Sequence, residues 1–324
     1  MYDVVAIGEL LVDFACRSTD DDGYPVLAAH PGGAPANFLA VLARYGLKTA
    51  LLAKVGNDAF GRLLRRTMER EGIDTAGVVV DDAAFTTLAF VTLDENGERD
   101  FSFARKPGAD MLLRYDELDL SLIDRTRVFH FGSVSMTDEP SRDATRRAAA
   151  YARSRGGLLT YDPNLRIPLW KDLAQARQEM LWGLSMADVV KLSDEEAAFL
   201  WELPPRESAE KLLRDYPAAL VFVTCGADGC YYAGRQGAGH VPCPPVHPVD
   251  TTGAGDGFIG SFLWQLQRDG VTAAELPKLS RKRLTEYLTF SNRFCAISVQ
   301  HHGAIDSYPT LEQMEQPEAD FPLL

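Results

Sequence analysis

The stretch that decides the fold is Asp250-Thr-Thr-Gly-Ala-Gly-Asp256, which leads into an apolar segment containing Phe258, Phe262 and Leu266. These apolar residues recur at helical spacing, so the pattern predicts a Gly-rich loop that opens an α-helix. Free backbone N–H groups at a helix N-terminus, together with the positive end of the helix dipole, bind anions. The stretch therefore predicts an anion site, with the carboxylate of Asp256 in the first helical turn beside the anion.

This combination of groups suits phosphoryl transfer. Gly253 and Gly255 let the backbone approach an anion closely, and Asp256 could accept a proton from an attacking hydroxyl. Enzymes that transfer phosphoryl groups mostly position the reactants and stabilise charge, so backbone amides and one carboxylate are a sufficient set. A plain alternative stays open at this point: an ordinary Gly-rich helix entry in which Asp256 is a favourable first-turn charge.

Other phosphate-binding motifs do not fit the chain. A P-loop would need Gly-x4-Gly-Lys-Ser/Thr, and the nearest stretch, Gly56–Gly61, is followed by Arg62-Leu63. A dinucleotide fingerprint would follow an early strand, whereas these glycines come late in the chain. An NAD-dependent oxidoreductase is therefore disfavoured.

Composition limits the partners of the protein. The chain has 324 residues and a formal net charge of -13, which disfavours a nucleic-acid or acidic-membrane surface. The N-terminus begins as an apolar strand without a basic leader, and no run approaches the roughly 18 apolar residues of a membrane span. Five cysteines without a Cys-x-x-Cys pair indicate reduced, buried thiols. We expect a cytoplasmic protein that binds small molecules, with neither nucleic acid nor a membrane as partner.

Short apolar runs alternate with amphipathic stretches along the chain. The alternation predicts an α/β fold with a doubly wound, mostly parallel sheet and helices on both faces, as one domain over residues 1–324. The predicted strands are Val4–Ile7, Ala50–Val55, Val128–Phe131, Leu158–Tyr161, Val189–Leu192 and Leu220–Thr224. The predicted helices are Ala36–Tyr45, Ala59–Glu71 and Ser141–Arg155, each followed by a glycine.

One segment departs from this alternation. Phe85–Leu93 and Glu98–Arg105 flank Asp94-Glu-Asn-Gly97, which is typical of a hairpin turn. We expect a small β-lid formed by about residues 14–30 and 85–106, and the alternative is an edge hairpin of the main sheet. Alternation along the second strand places Phe101, Phe103 and Arg105 on one face.

A second Gly-containing segment, taken together with the predicted phosphate site, gives the chain a resemblance to a known protein family. His30-Pro-Gly-Gly-Ala-Pro-Ala-Asn37 pairs two glycines with an asparagine that could bind polyol hydroxyls. Together with the stretch at 250–256, it resembles the ribokinase-like (PfkB) carbohydrate kinases over nearly the whole chain. The resemblance implies a ribokinase-like fold with a β-lid over the sugar. It also implies ATP and Mg²⁺ as cofactors, and K⁺ as well.

The resemblance assigns roles to individual residues. Gly253, Ala254 and Gly255 would form the anion hole, and Asp256 would be the catalytic base. The sugar would be held by Asp13, Gly32, Gly33, Asn37, Arg105 and Arg166, the last in Asp162-Pro-Asn-Leu-Arg166. The nucleotide would be bound by Lys191, Thr224, Gly226, Gly229 and Asn292.

Metal sites follow from the same resemblance. Glu196 would organise Mg²⁺ through water, although Ser193 replaces the usual Asn of the family. A monovalent cation would lie among Asp250, Thr252, Ser298, His301, Gly303 and Ser307. His301 and His302 are neighbours whose side chains point apart, so we do not expect them to bind a metal together.

The motifs look most like those of fructokinase, so phosphorylation of D-fructose at its 6-hydroxyl is the expected reaction. One alternative is 2-keto-3-deoxygluconate kinase, because Arg105 could form an ion pair with its acidic substrate. Another is a different sugar or nucleoside kinase of the family. A non-catalytic sugar-sensing protein on the same fold is the alternative from another class. The resemblance also allows a homodimer that pairs through the lid.

Overall fold

The computed structural model describes residues 1–93 and 99–316. Its strands are β1 (Tyr2–Ile7), β2 (Leu11–Thr19), β3 (Pro25–Gly32), β4 (Thr49–Gly56), β5 (Ile73–Asp74), β6 (Val78–Asp81), β7 (Leu88–Leu93), β8 (Arg99–Ala104), β9 (Thr126–Phe131), β10 (Leu158–Tyr161), β11 (Val189–Ser193), β12 (Leu220–Thr224), β13 (Cys230–Gly234) and β14 (Gly237–Val241). Its α-helices are α1 (Ala34–Arg44), α2 (Ala59–Arg70), α3 (Leu120–Asp124), α4 (Ser141–Ser154), α5 (Leu173–Met186), α6 (Asp194–Trp201), α7 (Pro205–Asp215), α8 (Ala254–Arg268), α9 (Arg281–Ser298) and α10 (Leu311–Glu315).

The large sheet is doubly wound. Its strand order is β14-β13-β12-β11-β10-β9-β1-β4-β5, and β6 also pairs with β4. The pairs from β12 through β11, β10, β9 and β1 to β4 are parallel, whereas β13 and β14 are antiparallel additions at one edge. Strand β1 pairs with β4 along one edge and with β9 along the other, so the strand order reverses at β1. Ligands of such sheets bind where the strand order reverses, outside the carboxyl ends of the strands.

Each face of this sheet has its own hydrophobic core. Alternate residues of β1 show the division: Val4 and Ala6 pack with α1, α8 and α9, while Val5 and Ile7 pack with α3, α4 and α5. Because successive side chains of a strand point to opposite faces, one short apolar run serves both cores. This explains why the central strands appear in the sequence as unbroken apolar runs.

The sequence predictions for these elements are confirmed, with boundaries that differ by one or two residues. The glycines expected to end the first helices adopt positive φ, at 87° for Gly46, 83° for Gly72 and 77° for Gly156. The predicted Gly-rich loop leads into α8, and Gly253 is its N-cap with φ of 75°. The α/β fold class with helices on both faces is therefore correct.

A second sheet of four strands stands apart from the first, in the order β3-β2-β7-β8. The predicted hairpin β7–β8 pairs with β2 and joins this small sheet, so the alternative of an edge hairpin of the main sheet is wrong. The small sheet begins at Leu11, slightly before the expected residue 14. The turn at 94–97 lies outside the described residues.

Two further observations concern composition. All five cysteines are free thiols, but Cys16 is exposed rather than buried as expected. Within residues 1–93 and 99–316, no helix is long and apolar enough to cross a membrane.

The first prediction concerns the packing that holds α8 against the sheet. The buried ring of Phe222 on β12 lies 4.5 Å from that of Phe262 and 6.1 Å from that of Phe258. Phe222→Ala leaves a cavity beneath α8, so we expect the free energy of unfolding to fall by about 3–5 kcal/mol, as measured by urea denaturation. Phe85→Ala is the control, because Phe85 is 60% exposed and its loss should change stability by roughly 0.5 kcal/mol or less. Equal effects of the two substitutions would contradict this view of the core.

Candidate active site

A cavity of about 560 Å³ lies outside the carboxyl ends of the central strands. It is bordered by the segments that follow β1, β10, β11 and β12, by the first turns of α1 and α8, and by the small sheet. Half of the sequence-predicted site residues meet here. The cavity is lined by Asp13, Gly33, Asn37, Arg166, Lys191, Glu196, Thr224, Thr252, Gly253, Gly255 and Asp256, among others.

Asp256 lies at the centre of the cavity, in the first turn of α8. Nδ2 of Asn37 donates to one of its carboxylate oxygens over 2.9 Å, and Nδ2 of Asn164 approaches the other at 3.4 Å. Burial raises the pKa of Asp256 above its usual range, although the Asn37 hydrogen bond and the charges of Lys191 and Arg166 oppose that rise. A buried carboxylate with a raised pKa, held by two amides, is a fixed and more basic proton acceptor than one in water.

Lys191 supplies a buried positive charge beside the Gly-rich loop. Its Nζ lies 3.1 Å from the carboxylate of Asp162. Burial alone would lower the pKa of Lys191, but Asp162, Glu196 and Asp256 outweigh burial and raise it. A Cβ at position 255 would lie only 2.7 Å from Nζ of Lys191. Gly255 is therefore needed so that this ammonium can reach the loop.

Asp13 lies on β2 and brings the small sheet into the cavity. A Cβ at Gly32 would lie 2.1 Å from Oδ2 of Asp13, so only glycine leaves room for that carboxylate. Gly33 has φ of 108°, and its Cβ would lie 2.4 Å from the carbonyl oxygen of Glu9. Burial raises the pKa of Asp13 to about 6, helped by the charge of Asp256 and opposed by that of Arg166. The paired glycines thus make space for an acidic end of the cavity.

The loop after β10 adopts an unusual backbone. Asn164 and Arg166 have φ of 53° and 46°, values that side-chain-bearing residues rarely adopt. Such strain persists where the surrounding structure holds it, often at functional sites. The result is that the amide of Asn164 points towards Asp256 while the exposed side chain of Arg166 lines the cavity.

Glu196 is held rigidly at the start of α6. Its carboxylate oxygens accept the N–H groups of Leu165 and Ser193 over 2.9 and 2.8 Å, and Ser193 Oγ accepts the N–H of Glu196. Ser193 is therefore the N-cap of α6 within a capping box. This gives Ser193 a structural role in place of the usual Asn.

A second, mostly apolar cavity of about 440 Å³ adjoins the first, and the two share Thr224, Thr251 and Gly255. Gly226, Gly229 and Asn292 also line it. Nδ2 of Asn292 donates to the carbonyls of Val241 and Pro242, so this side chain holds the cavity wall in place. Four of the five residues predicted for a nucleotide, Thr224, Gly226, Gly229 and Asn292, therefore line this cavity next to the Gly-rich loop, whereas Lys191 lines the first cavity.

The residues predicted for a monovalent cation converge behind the same loop. The carboxylate of Asp250 accepts the N–H groups of Thr252 and Gly303 over 2.8 and 2.9 Å. Oγ of Ser298 and Oγ of Ser307 lie 2.7 Å apart, and the N–H of His301 donates to the carbonyl of Ser298. The described residues contain no cluster of three or more His, Cys, Asp or Glu that could hold a metal.

Arg105 was predicted to bind the sugar, but it does not line the cavity that contains Asp256. Its guanidinium is buried and lies 2.7 Å from the carboxylate of Asp110, and it also donates to Oγ1 of Thr137 and to the carbonyl of Val134. It borders a neighbouring cavity of about 800 Å³ instead of the one that holds Asp256. Arg105 directly follows β8, and its pairing with Asp110 was not predicted from the sequence.

Sequence reasoning missed three polar residues of the site. Asp162 and Asn164 stand in the Asp162-Pro-Asn-Leu-Arg166 motif, from which only the arginine was singled out. Glu9 is the second residue after β1 and lines the cavity while remaining 4% exposed. A polar residue at the carboxyl end of a central parallel strand was the available signal in each case.

Comparison with known proteins places this geometry in context. A model of the pfkB family carbohydrate kinases matches residues 1–311. Fructokinase-1 of Zea mays is 42% identical over 317 residues, which covers 97% of this chain and 96% of the relative.

Solved structures agree with this match. A fructokinase of Xylella fastidiosa with bound ATP is 31% identical, with a TM-score of 0.88 and 97% of both chains covered. A double-mutant fructokinase of Vibrio cholerae O395 in its fructose-, ADP- and potassium-bound form is 30% identical, with a TM-score of 0.84 and 97% of both chains covered. The fold and the site together define a phosphotransferase that acts on an alcohol group. More narrowly, the chain belongs to the pfkB family of carbohydrate kinases.

The second prediction uses the raised pKa of Asp13. In the folded protein this carboxyl is mostly protonated at pH 5 and ionised at pH 8, whereas in the unfolded chain, with a pKa near 3.8, it is ionised at both. Its contribution to stability is therefore lost as pH rises through about 6. Compared with wild type, Asp13→Asn should gain about 1 kcal/mol more unfolding free energy at pH 8 than at pH 5, as measured by urea denaturation.

Asp81→Asn is the matched control, because the pKa of Asp81 is lowered in the folded protein whereas that of Asp13 is raised. The hydrogen bond from Lys54 lowers the pKa of Asp81 to about 2, so Asp81 is ionised at both pH values in both states. We expect its replacement to destabilise the protein equally at pH 5 and pH 8. A pH-independent effect of Asp13→Asn would show that Asp13 is not buried as described.

Proposed function

We propose that this protein is an ATP-dependent fructokinase, which transfers the γ-phosphoryl group of ATP to the 6-hydroxyl of D-fructose. One observation carries the proposal: an acid-lined cavity and an apolar cavity meet at Gly255, beside the buried carboxylate of Asp256. A sugar in the first cavity and an adenine in the second would direct their reacting groups to this junction. The fructokinase relatives support the choice of sugar.

Asp256 would act as the base. Its carboxylate takes the proton of the sugar hydroxyl while that oxygen bonds to the γ-phosphorus and the bond to the β-phosphate oxygen breaks, releasing ADP. Asn37 and Asn164 hold the carboxylate by its two oxygens, so it faces the sugar in one orientation. The lone pairs that remain on those oxygens are available to the substrate hydroxyl.

Charge on the transferring group would be stabilised by the start of α8. The N–H groups of Gly253, Ala254 and Gly255 are at the positive end of this helix. The ammonium of Lys191 lies next to Gly255, and Arg166 lines the same cavity. These groups would supply donors and positive charge where negative charge develops on the transferring group.

The nucleotide and its metal would be held by neighbouring segments. Thr224, Gly226, Gly229 and Asn292 form or support the wall of the apolar cavity, which suits an adenine ring. Mg²⁺, when bound, neutralises the phosphates of ATP. Both carboxylate oxygens of Glu196 already accept backbone N–H groups, so this residue fits a contact to Mg²⁺-bound water better than direct coordination.

The charge of the sugar end favours a neutral substrate. Glu9, Asp13 and Asp256 all line this cavity, and an anionic sugar would meet their carboxylates. Arg105, the residue that could have paired with a sugar acid, is already bound to Asp110. 2-Keto-3-deoxygluconate is thereby disfavoured. A non-catalytic sensor is disfavoured as well, because binding alone does not require the Asp256–Asn37 pair.

The small sheet would serve as a lid over the sugar, since β2 carries Asp13 into the cavity. Tyr24, just before β3, and Val26 on β3 are 69% and 45% exposed and would support lid-to-lid pairing of two copies in the cytoplasm. Light scattering of the purified protein tests that pairing. A single-chain mass at micromolar concentration would contradict it.

The deciding experiment is a coupled ADP-release assay with fructose, ribose, 2-keto-3-deoxygluconate, adenosine and inosine. We expect kcat/KM to be highest for fructose, and NMR of the product should show phosphate on the 6-oxygen. A preference for the sugar acid would overturn the choice of substrate. ADP release with none of the panel would overturn the kinase proposal for these substrates and favour the sensor.

The third prediction is that Asp256→Asn lowers kcat for fructose by roughly 10²–10⁴-fold, because the amide cannot accept the proton. Binding of ATP, measured by calorimetry, should stay within a few-fold, because the nucleotide cavity is unchanged. Glu312→Gln, an exposed change outside the described cavities, is the control. Near-normal kcat of the Asp256 variant would remove Asp256 from the role of base.

The fourth prediction concerns K⁺, which we propose binds among Asp250, Thr252, Ser298, His301, Gly303 and Ser307. Oxygen atoms suit an alkali cation, and the Asp250–Gly303 hydrogen bond ties that region to the Gly-rich loop. Replacing KCl with choline chloride at equal ionic strength should lower kcat, because the loop loses a support behind the anion hole. Identical kcat in the two salts would rule out activation by the cation.

A further inference from the structure

We infer that Glu9 is a positioning residue for the sugar, because its carboxylate holds the first turn of the helix that carries Asn37. This inference rests on the proposed sugar kinase activity. Glu9 lies in the segment between β1 and β2 and lines the same cavity as Asn37 and Asp256. It is 4% exposed, so its carboxyl is among the most enclosed in the site.

Helix α1 begins without a cap of its own. Its N-cap is Gly33, which makes no side-chain hydrogen bond, and its first turn contains no acidic residue. The missing acceptor comes from another part of the chain: Oε1 of Glu9 accepts the N–H of Ala34 over 3.0 Å. An anion at a helix N-terminus satisfies a free donor and is favoured by the helix dipole.

The backbone around Glu9 interlocks with the same turn. A Cβ at Gly33 would lie 2.4 Å from the carbonyl oxygen of Glu9, and a Cβ at Gly8 would lie 2.6 Å from Cγ of Pro35. Two glycines are therefore needed for the corner after β1 to fit against α1. The side-chain hydrogen bond and the close packing fix α1 relative to the central strand.

This fixation reaches the reacting groups through Asn37. Asn37 lies one turn along α1 from Ala34 and donates to Oδ2 of Asp256 over 2.9 Å. A loosened first turn would let the paired glycines and Asn37 shift together, whereas the apolar cavity proposed for the nucleotide is lined by the end of β12, the segments after β12 and β14, and helices α8 and α9, with no residue of α1. Loss of Glu9 should therefore weaken sugar binding selectively.

Burial of the Glu9 carboxyl is unfavourable for its ionised form. Burial raises its pKa to about 7, although the N–H of Ala34 and the charge of Arg105 oppose the rise. A residue kept only for stability would have no reason to be a buried carboxyl in a cavity that Asp13 and Asp256 already make acidic. The placement fits a residue kept for geometry.

The test compares three variants by steady-state kinetics. Glu9→Ala should raise KM for fructose about tenfold, because the first turn of α1 loses the acceptor of the Ala34 N–H and Asn37 shifts with it, while KM for ATP stays within about twofold. Glu9→Gln keeps an oxygen that can accept from Ala34 and should restore most of the fructose affinity. Glu179→Gln is the matched control: Glu179 is equally buried but pairs with Arg146 on the far face of the sheet.

Hydrogen exchange gives a second reading that does not need fructose turnover. The amides of Ala34 and of residues 36–38 should exchange faster in Glu9→Ala than in wild type, and Glu9→Gln should restore their protection. If wild type does not phosphorylate fructose, the proposed function fails, while exchange at 34–38 still tests Glu9. Unchanged exchange there, or an equal rise of both KM values in folded Glu9→Ala, would overturn the inference.

Discussion

The structure depends on burying one carboxylate, that of Asp256, at the start of a helix. A buried carboxylate needs partners, and they come from both sides of the doubly wound sheet: Asn37 from α1 and Asn164 from the loop after β10. Lys191 adds a positive charge from β11. Because these partners are distant in sequence, the carboxylate can be satisfied only when the complete parallel sheet has formed. The fold that satisfies this carboxylate is therefore also the fold that assembles the site around it.

The large cavity carries charges of both signs. Glu9, Asp13 and Asp256 are acidic, while Lys191 and Arg166 are cationic. Under the proposed function, a neutral polyol would meet acceptors for its hydroxyls and phosphate would meet donors. The net charge of -13 would not prevent binding of a polyanion, because a few cations and backbone N–H groups act at short range.

Most of the fold could be predicted because its signals are local. Apolar runs bounded by glycines marked the strands and helix ends, and the run at 250–256 marked the start of α8. The partners of each polar group could not be predicted, since they depend on tertiary contacts. Arg105 shows this: it follows β8, and the structure pairs it with Asp110, five residues further on in a short 3-10 helix that strand alternation does not describe. Glu9 was overlooked because a glutamate after a strand has no distinctive pattern until α1 lies beside it.

The division of the site between two sheets has an evolutionary consequence. Asp13 belongs to β2 of the small sheet, whereas Lys191 belongs to β11 of the large sheet and Asp256 to α8, which packs on that sheet. Under the proposed function, substitutions in the small sheet would alter which hydroxyls are recognised without touching the groups that handle phosphate. One fold could thus take different sugars as phosphoryl acceptors while it keeps the same phosphoryl donor. The small sheet is therefore the natural target for redesigning sugar preference.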